Sequence, residues 1–425
     1  MLVEHAAVVG QVAVDGADPR DRRDVDARDR LRLGVHRAHV GHAKGAEQLC
    51  SDRQLHSRAI DRDNVLGRPN ASLMTMEHRQ LGRSGLRVSV LGLGTMGFGG
   101  AGKFAHVGEL DLQAAGRQID LCLDAGVTFV DTADVYSQGA SEEIVGKAIK
   151  GRRNRITLAT KVRFSMGDGP NDAGLSRAHI IKACEDSLRR LGTDWIDLYQ
   201  VHEWDGQTPL EETLSALDTL VRDGKVRYVG CSNYAGWQMS KALGTSALHG
   251  YQPFVSNQVY YSLQARDAEY EIVPAAIDQG LGLLIWSPLA GGLLSGKYRR
   301  DVDAPAGSRQ LTEWDEPPVR DQEGLYDIVE ALVEIGEAHD VSAAQIALAW
   351  TLGRPGVTSL IVGARTEEQL ADNLAAVDVV LSADERARLD TLSALPLLYP
   401  FWHQAASASD RLSEADLTLI GPHLR

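Results

Sequence analysis

The sequence predicts an α/β protein folded as a (β/α)8 TIM barrel with an N-terminal β-hairpin cap, and three observations predict it. First, eight short apolar stretches follow residue 76: Val88–Gly92, Val127–Val130, Ile156–Thr160, Ile196–Val201, Val226–Gly230, Val255–Val259, Leu283–Trp286 and Ser359–Val362. Second, the segments between them are amphipathic and carry helix start and stop signals. Third, strand and helix alternate with a spacing that suits parallel strands joined by helical crossovers, which close into a barrel. A doubly wound open sheet is the alternative arrangement of the same pattern.

Residues 1–75 stand apart from this pattern. They hold no Phe, Trp or Tyr, Lys44 is their one lysine, and Asp and Arg cluster without period between Asp18 and Arg32. Such a segment has little to bury and is expected to be a disordered extension. A sharper reading is an over-extended gene model, with translation naturally beginning at Met76 or Met74. The barrel and its C-terminal tail then occupy residues 76–425. The stretch from Met76 to Gly92 reads as hairpin and strand.

The helices are marked by their ends. Ser176 caps a helix whose Ile180, Ile181, Cys184, Leu188 and Leu191 share one face, and Gly192 closes it. Thr208-Pro-Leu-Glu211 reads as a capping box with proline at the first helical position, closed by Gly224. Ser342 with Gln345, Thr366 with Gln369, and Ser382 with Glu385 repeat the box.

Composition narrows the class. The chain has 425 residues, 44% hydrophobic and 24% charged, enough for a sizeable core. A net charge of -14 weighs against a nucleic-acid surface. Cys50, Cys122, Cys184 and Cys231 are widely spaced, which suggests a reducing compartment, neither a disulfide frame nor a zinc site. Gly280–Gly296 is uncharged, but proline and glycine break it, so no membrane span is expected. With no signal-peptide pattern at the start, the chain reads as cytoplasmic.

Chemistry enters at the C-terminal ends of the strands, which meet at one face of such a barrel. The second strand ends at Asp131 with Tyr136 five residues on, the third at Lys161, the fourth at His202. The fifth offers Ser232 and Asn233, the sixth Asn257 and Gln258, the seventh Trp286 and Ser287, the eighth Gly363 and Arg365. One such residue has dull explanations: a turn lysine, a core histidine. Four ionisable groups at successive strand ends do not. A phenol is a poor acid at neutral pH, but an ammonium beside it stabilises the phenolate and lowers its pKa. Lys161 would supply that charge, Asp131 would hold Lys161, and His202 would orient a carbonyl oxygen or share its proton. The product is a general acid aimed at a carbonyl, which suits reduction by hydride.

From about Met76 to Trp402 the chain resembles the aldo-keto reductase superfamily, in the branch that contains bacterial reductases and potassium-channel β subunits. The motifs are Leu-Gly-Leu-Gly94-Thr95-Met96-Gly-Phe-Gly, Val-Asp131-Thr-Ala-Asp-Val-Tyr136, Ala-Thr-Lys161, Tyr-Gln-Val-His202, Gly-Cys-Ser232-Asn233-Tyr and Ser-Asn-Gln258. Trp286-Ser287-Pro-Leu289-Ala-Gly291-Gly-Leu-Leu-Ser-Gly-Lys297 and Gly363-Ala-Arg365-Thr-Glu-Glu-Gln369-Leu-Ala-Asp372-Asn373 complete them. The resemblance implies NADP(H) as cofactor and Asp131, Tyr136, Lys161 and His202 as a catalytic tetrad, with Tyr136 the proton donor. It implies Ser232, Asn233 and Gln258 at the nicotinamide carboxamide and Trp286 on the ring. Ser287, Leu289, Gly291 and Lys297 fall along the pyrophosphate. Gly363, Arg365, Gln369, Asp372 and Asn373 fall at the adenosine end. Ser137 departs from the glycine or asparagine that usually follows the tyrosine.

Gly92-Leu-Gly94-Thr-Met-Gly97 also matches the dinucleotide fingerprint of an open sheet, but that loop must open a helix directly. Here Phe98-Gly-Gly-Ala-Gly follows, so Gly94, Thr95 and Met96 are read as the first strand-end loop approaching the cofactor. The expected function is NADPH-dependent reduction of an aldehyde or ketone. The alternative is a cofactor-sensing regulatory subunit on the same fold with little turnover. A metal-dependent barrel hydrolase or aldolase is disfavoured, since His202 is the one histidine at a strand end. Phe164, Met166, Trp204, Tyr399, Phe401 and Trp402 are candidates for an apolar substrate pocket.

Overall fold

The computed structural model describes residues 76–105, 107–305, 308 and 316–424. The proposed extension of residues 1–75, with Cys50, lies outside them. Eight parallel strands form a closed barrel: β3 (Leu91–Gly94), β4 (Phe129–Asp131), β5 (Thr157–Val162), β6 (Ile196–Val201), β7 (Val226–Ser232), β8 (Ser256–Tyr260), β9 (Gly282–Trp286) and β10 (Val357–Val362), which pairs back to β3. Ahead of it, β1 (His78–Gln80) and β2 (Arg87–Ser89) form the antiparallel hairpin.

One expected strand is in fact two. Val88–Gly92 covers the end of β2 and the start of β3, and the chain changes sheets at Val90. The Val90 N–H serves the hairpin, donating to Glu77 O at 3.0 Å, while its carbonyl accepts from Leu360 N of the barrel at 2.9 Å. Ser89 Oγ braces the bend by accepting from the N–H groups of Thr128 and Phe129. Hydrophobicity alone does not register that change of partner.

The hairpin plugs the bottom of the barrel. Leu81 and Val88 pack with Phe129, Ala159, Leu198, Leu284 and Ile361, an apolar layer from β4, β5, β6, β9 and β10. The hairpin turn needs Gly82, at φ 57°, because a Cβ there would come within 2.6 Å of Gly280 O. Side chains alternate along a strand. Two residues above the apolar layer, the inward positions are therefore Asp131, Lys161, Gln200 and Trp286. The barrel changes from oil to charge within one pleat.

Helices α1 (Leu112–Asp124), α2 (Ala140–Ala148), α3 (Arg177–Leu191), α4 (Leu210–Arg222), α5 (Gly236–His249) and α6 (Ile272–Gln279) alternate with strands β3 to β9. Two helices, α7 (Gln322–His339) and α8 (Ala343–Leu352), precede β10, and α9 (Glu367–Leu374) and α10 (Ala383–Leu392) follow it. Ser176 caps α3 and Gly192 ends it in a left-handed conformation, as the sequence implies. Ser382 and Glu385 form a complete capping box. Ser342 and Thr366 cap α8 and α9, but their third-position glutamines turn elsewhere: Gln345 to Asp372, Gln369 to the Arg365 N–H. The box expected at Thr208 does not form. Asp205 takes the Thr208 hydroxyl at 2.7 Å together with the N–H groups of Gln207 and Thr208, and α4 starts at Leu210. The tail adds α11 (Phe401–Ser407) and α12 (Glu414–Ile420), with α12 packed on α6. Cys122, Cys184 and Cys231 are buried free thiols. Among the described residues no helix is long and apolar enough to cross a membrane.

Candidate active site

Register brings the polar strand ends to one level. Asp131 ends β4 beside Gly94 and Ala159, and Lys161 lies beside Gln200 across the β5–β6 ladder. Lys161 is fully buried. Its ammonium donates to Asp131 Oδ1, to Thr132 O at 3.0 Å, and to the Tyr136 hydroxyl at 3.5 Å. Those contacts use its three donors. The other oxygen of Asp131 accepts from Gln200 Nε2 at 3.0 Å and Gln258 Nε2 at 2.8 Å. A buried ion pair is tolerated only when its remaining hydrogen-bonding capacity is met, and here it is.

Electrostatics follow from this packing. Burial works most strongly against the Lys161 ammonium, but the Asp131 carboxylate, Tyr136 and the hydrogen bonds to both together outweigh it, so its pKa is raised. For Tyr136 the outcome differs from the sequence expectation. Burial raises the phenol above its ordinary value, and the opposing pull of Lys161 does not cancel it. The hydroxyl is therefore held as a phenol at neutral pH. Tyr136 meets Phe104 edge-on at 5.5 Å and His202 at 5.9 Å, and Phe164 packs edge-on against His202 at 4.8 Å.

Above this cluster opens a cavity of about 640 Å³. Asp131, Tyr136 and His202 line it, with Lys161 directly beneath. So do Gly94, Thr95, Met96, Ser232, Asn233, Gln258, Trp286, Ser287, Leu289, Gly291, Lys297, Gly363, Arg365, Gln369, Asp372 and Asn373. Every residue assigned to the tetrad or the cofactor, apart from the underlying Lys161, thus lines one cavity. Trp286 stacks on Tyr260 at 4.9 Å and donates to Asn233 Oδ1 at 3.0 Å, while Asn233 Nδ2 donates to His202 O at 3.2 Å. That chain ties the indole to the backbone of the histidine.

The cavity suits a dinucleotide. Its far end is built by the loops after β9 and β10 and by the N-terminus of the short helix α9, the usual phosphate site of this architecture. Lys297 and Arg365 bring the cations there. Ser287, Ala290, Gly291 and Gly292 have φ values of 48°, 49°, 66° and 98°, a left-handed loop in which a Cβ on Gly292 would sit 3.3 Å from Lys297 Nζ. The expected fingerprint decoy is resolved too: a loop and a short turn at Gly102–Phe104 follow β3, and α1 begins only at Leu112.

Sequence reasoning missed Gln200, Phe104, Val107, Leu110, Glu203 and Glu316. Gln200 had a legible signal, a polar residue two positions before His202 and so on the same face of the strand. The others come from loops whose direction no local pattern encodes. Of the proposed pocket aromatics, Phe164 lines the cavity. Trp204 instead packs on Tyr234 and Trp237, and Met166 is not on the cavity wall. Tyr399 and Phe401 border a separate surface cleft with Tyr270, and Trp402 is exposed. Among the described residues no group of His, Cys, Asp or Glu could hold a metal ion.

A closed parallel barrel with an acid, a lysine, a tyrosine and a histidine at its C-terminal mouth defines a class of carbonyl-directed oxidoreductases. The chain belongs to the aldo/keto reductase family, whose sequence model matches residues 90–394. Enzymes of that family use a nicotinamide cofactor. The chain is 44% identical over 322 residues to the uncharacterized oxidoreductase YrpG of Bacillus subtilis, covering 73% of this chain and 93% of that protein. It is 37% identical to a probable voltage-gated potassium channel subunit beta of Arabidopsis thaliana, over 72% of this chain and 92% of the relative. It is 36% identical to versiconal hemiacetal acetate reductase of Aspergillus parasiticus, over 73% and 95%.

Proposed function

We propose that this protein reduces an aldehyde or ketone to an alcohol with NADPH, with Tyr136 as the general acid. The observation that carries the reading is the buried Asp131–Lys161 pair reaching the Tyr136 hydroxyl at the floor of the cavity. When bound, NADPH supplies the hydride. Tyr136 Oη gives its proton to the carbonyl oxygen, and Lys161 compensates the phenolate left behind. Asp131 fixes Lys161 and is itself fixed by Gln200 and Gln258. His202 orients the carbonyl oxygen.

The same residues that line the cavity are the proposed cofactor site. Ser232, Asn233 and Gln258 would hold the carboxamide and Trp286 the ring, with Gly94, Thr95 and Met96 beside them. Ser287, Leu289, Gly291 and Lys297 would follow the pyrophosphate. Gly363, Gln369, Asp372 and Asn373 would enclose the adenosine, and Arg365 would select the extra phosphate of NADP. The buried free thiols suit a reducing cytoplasm. Residues 76–425 would carry the whole activity.

Steady NADPH oxidation with a panel of neutral aldehydes and ketones tests the reading. Turnover that needs the carbonyl supports it. NADPH binding without turnover of any carbonyl would favour a cofactor-sensing subunit, the reading that relatives named as channel subunits keep in view.

A further inference from the structure

Directly after Tyr136 the backbone takes three left-handed steps: Ser137 at φ 49°, Gln138 at 56° and Gly139 at 92°. Glycine accepts this readily, whereas a residue with a Cβ is strained there. A serine here needs a compensating contact, and its side chain shows one. Ser137 is buried to 1% exposure. Its Oγ donates to Phe98 O at 3.1 Å and accepts from Gly100 N at 3.0 Å. Both partners belong to the loop after β3, on the far side of the cavity mouth. Between them Gly99, at φ 103°, comes so close that a Cβ would lie 2.9 Å from Ser137 Cβ. Four residues beyond Gly100 the same loop delivers Phe104, whose ring packs edge-on against Tyr136.

We infer that Ser137 is a positioning residue: its hydroxyl fastens the Phe98–Phe104 loop to the turn that carries Tyr136, and so holds the phenol between Phe104 and Lys161. The inference rests on Tyr136 being the acid. The two hydrogen bonds satisfy a carbonyl and an N–H with no other hydrogen-bond partner among the described residues, which offsets the strain of a serine where glycine would be free. A ring held from both sides presents its hydroxyl in one direction, and small losses of alignment at a reacting proton are expensive.

The test is a double-mutant cycle on the purified full chain. Ser137→Ala keeps the Cβ and removes the clamp, so the carbonyl turnover at saturating NADPH should fall roughly ten- to a hundredfold. NADPH affinity should stay within a few-fold, and the Gly100 amide should exchange faster with solvent. Ser137→Gly relieves the backbone and serves as the second variant should the alanine protein fold poorly; it should lose turnover equally while its melting temperature holds. In a Tyr136→Phe background the same changes should cost nothing further, because there is no acid left to position. Unchanged turnover in Ser137→Ala, or an equal loss with and without the Tyr136 hydroxyl, overturns the inference while the acid assignment stands. Near-normal turnover in Tyr136→Phe alone overturns the acid assignment and this inference with it.

Discussion

Tyr136→Phe separates catalysis from folding more cleanly than any other single change. It removes one oxygen and keeps the ring contacts with Phe104 and His202. The lost contact with Lys161 is long, 3.5 Å, so the fold should lose no more than about 1 kcal/mol. The barrier should rise far more. General acid catalysis contributes about 10²–10⁴-fold, which at ~1.36 kcal/mol per decade is roughly 2.7–5.5 kcal/mol. Three measurements on the same preparation decide the matter: steady NADPH oxidation with saturating aldehyde, cofactor titration by tryptophan fluorescence with Trp286 in the cavity wall, and thermal melting. The expected result is intact binding, an almost unchanged melt and a collapsed turnover. Near-normal turnover with NADPH bound would refute Tyr136 as the acid. A turnover loss matched by an equal loss of cofactor binding would mean that the hydroxyl shapes the site and does not act in it.

Three further outcomes are expected. Lys161→Met leaves Asp131 buried without its cation and should cost about 3–5 kcal/mol of stability, largely recovered in the double variant with Asp131→Asn. It should also move the rise of alcohol oxidation to higher pH, since Lys161 lowers the phenol pKa; an unmoved profile in a folded variant removes the lysine from its role. Arg365→Ala should weaken NADPH binding by about ten- to a hundredfold, the loss of a charge-assisted hydrogen bond of roughly 1.5–3 kcal/mol, and leave NADH binding nearly unchanged; equal losses assign the guanidinium to the loop and not to the phosphate. Asp134 is fully buried with neither oxygen hydrogen-bonded among the described residues, and burial, reinforced by Glu142, holds its pKa well above the usual carboxylate range. A folded pKa raised this way favours the fold below the unfolded value of about 3.9, and that advantage is lost as pH rises through the folded value. Asp134→Asn should therefore melt with a flatter pH dependence, and curves that stay parallel from acid to neutral pH would exclude an effect of this carboxyl.

Much of the fold is legible because barrel strands are apolar runs with turn residues at both ends. Ile196–Val201 is read to the residue. Val88–Gly92 fails because two sheets share one apolar run, and only the partners of Val90 tell them apart. Thr208 fails for a local reason: the capping rule assumes a free hydroxyl, and Asp205 had already taken it. The tail aromatics fail because distance along the chain says nothing of which face a segment docks on. Tyr399 and Phe401 reach Tyr270 on the flank of the barrel.

The site is more legible than the fold's details, and strand geometry gives the reason. A side chain at a strand's end has one direction to point once its parity is known, so Asp131, Lys161, Gln200 and His202 are positioned by the two-residue period alone. Parity fixes direction but not dielectric, and that is where the sequence argument on Tyr136 goes astray. It counts the ammonium and leaves out the desolvation that the same close packing imposes. With burial prevailing, the phenol keeps its proton through neutral pH. In the proposed reaction, Lys161 would then serve less to acidify the ground state than to stabilise the charge that appears on the oxygen as the proton leaves. That charge would exist only along the reaction, so the stabilisation would fall on the transition state and lower the barrier, which uniform stabilisation of both states would not do. A barrel that buries a lysine on an apolar layer accepts the cost of holding it there because Asp131, Gln200 and Gln258 fix it in place, and a fixed charge need not reorganise when the proton moves.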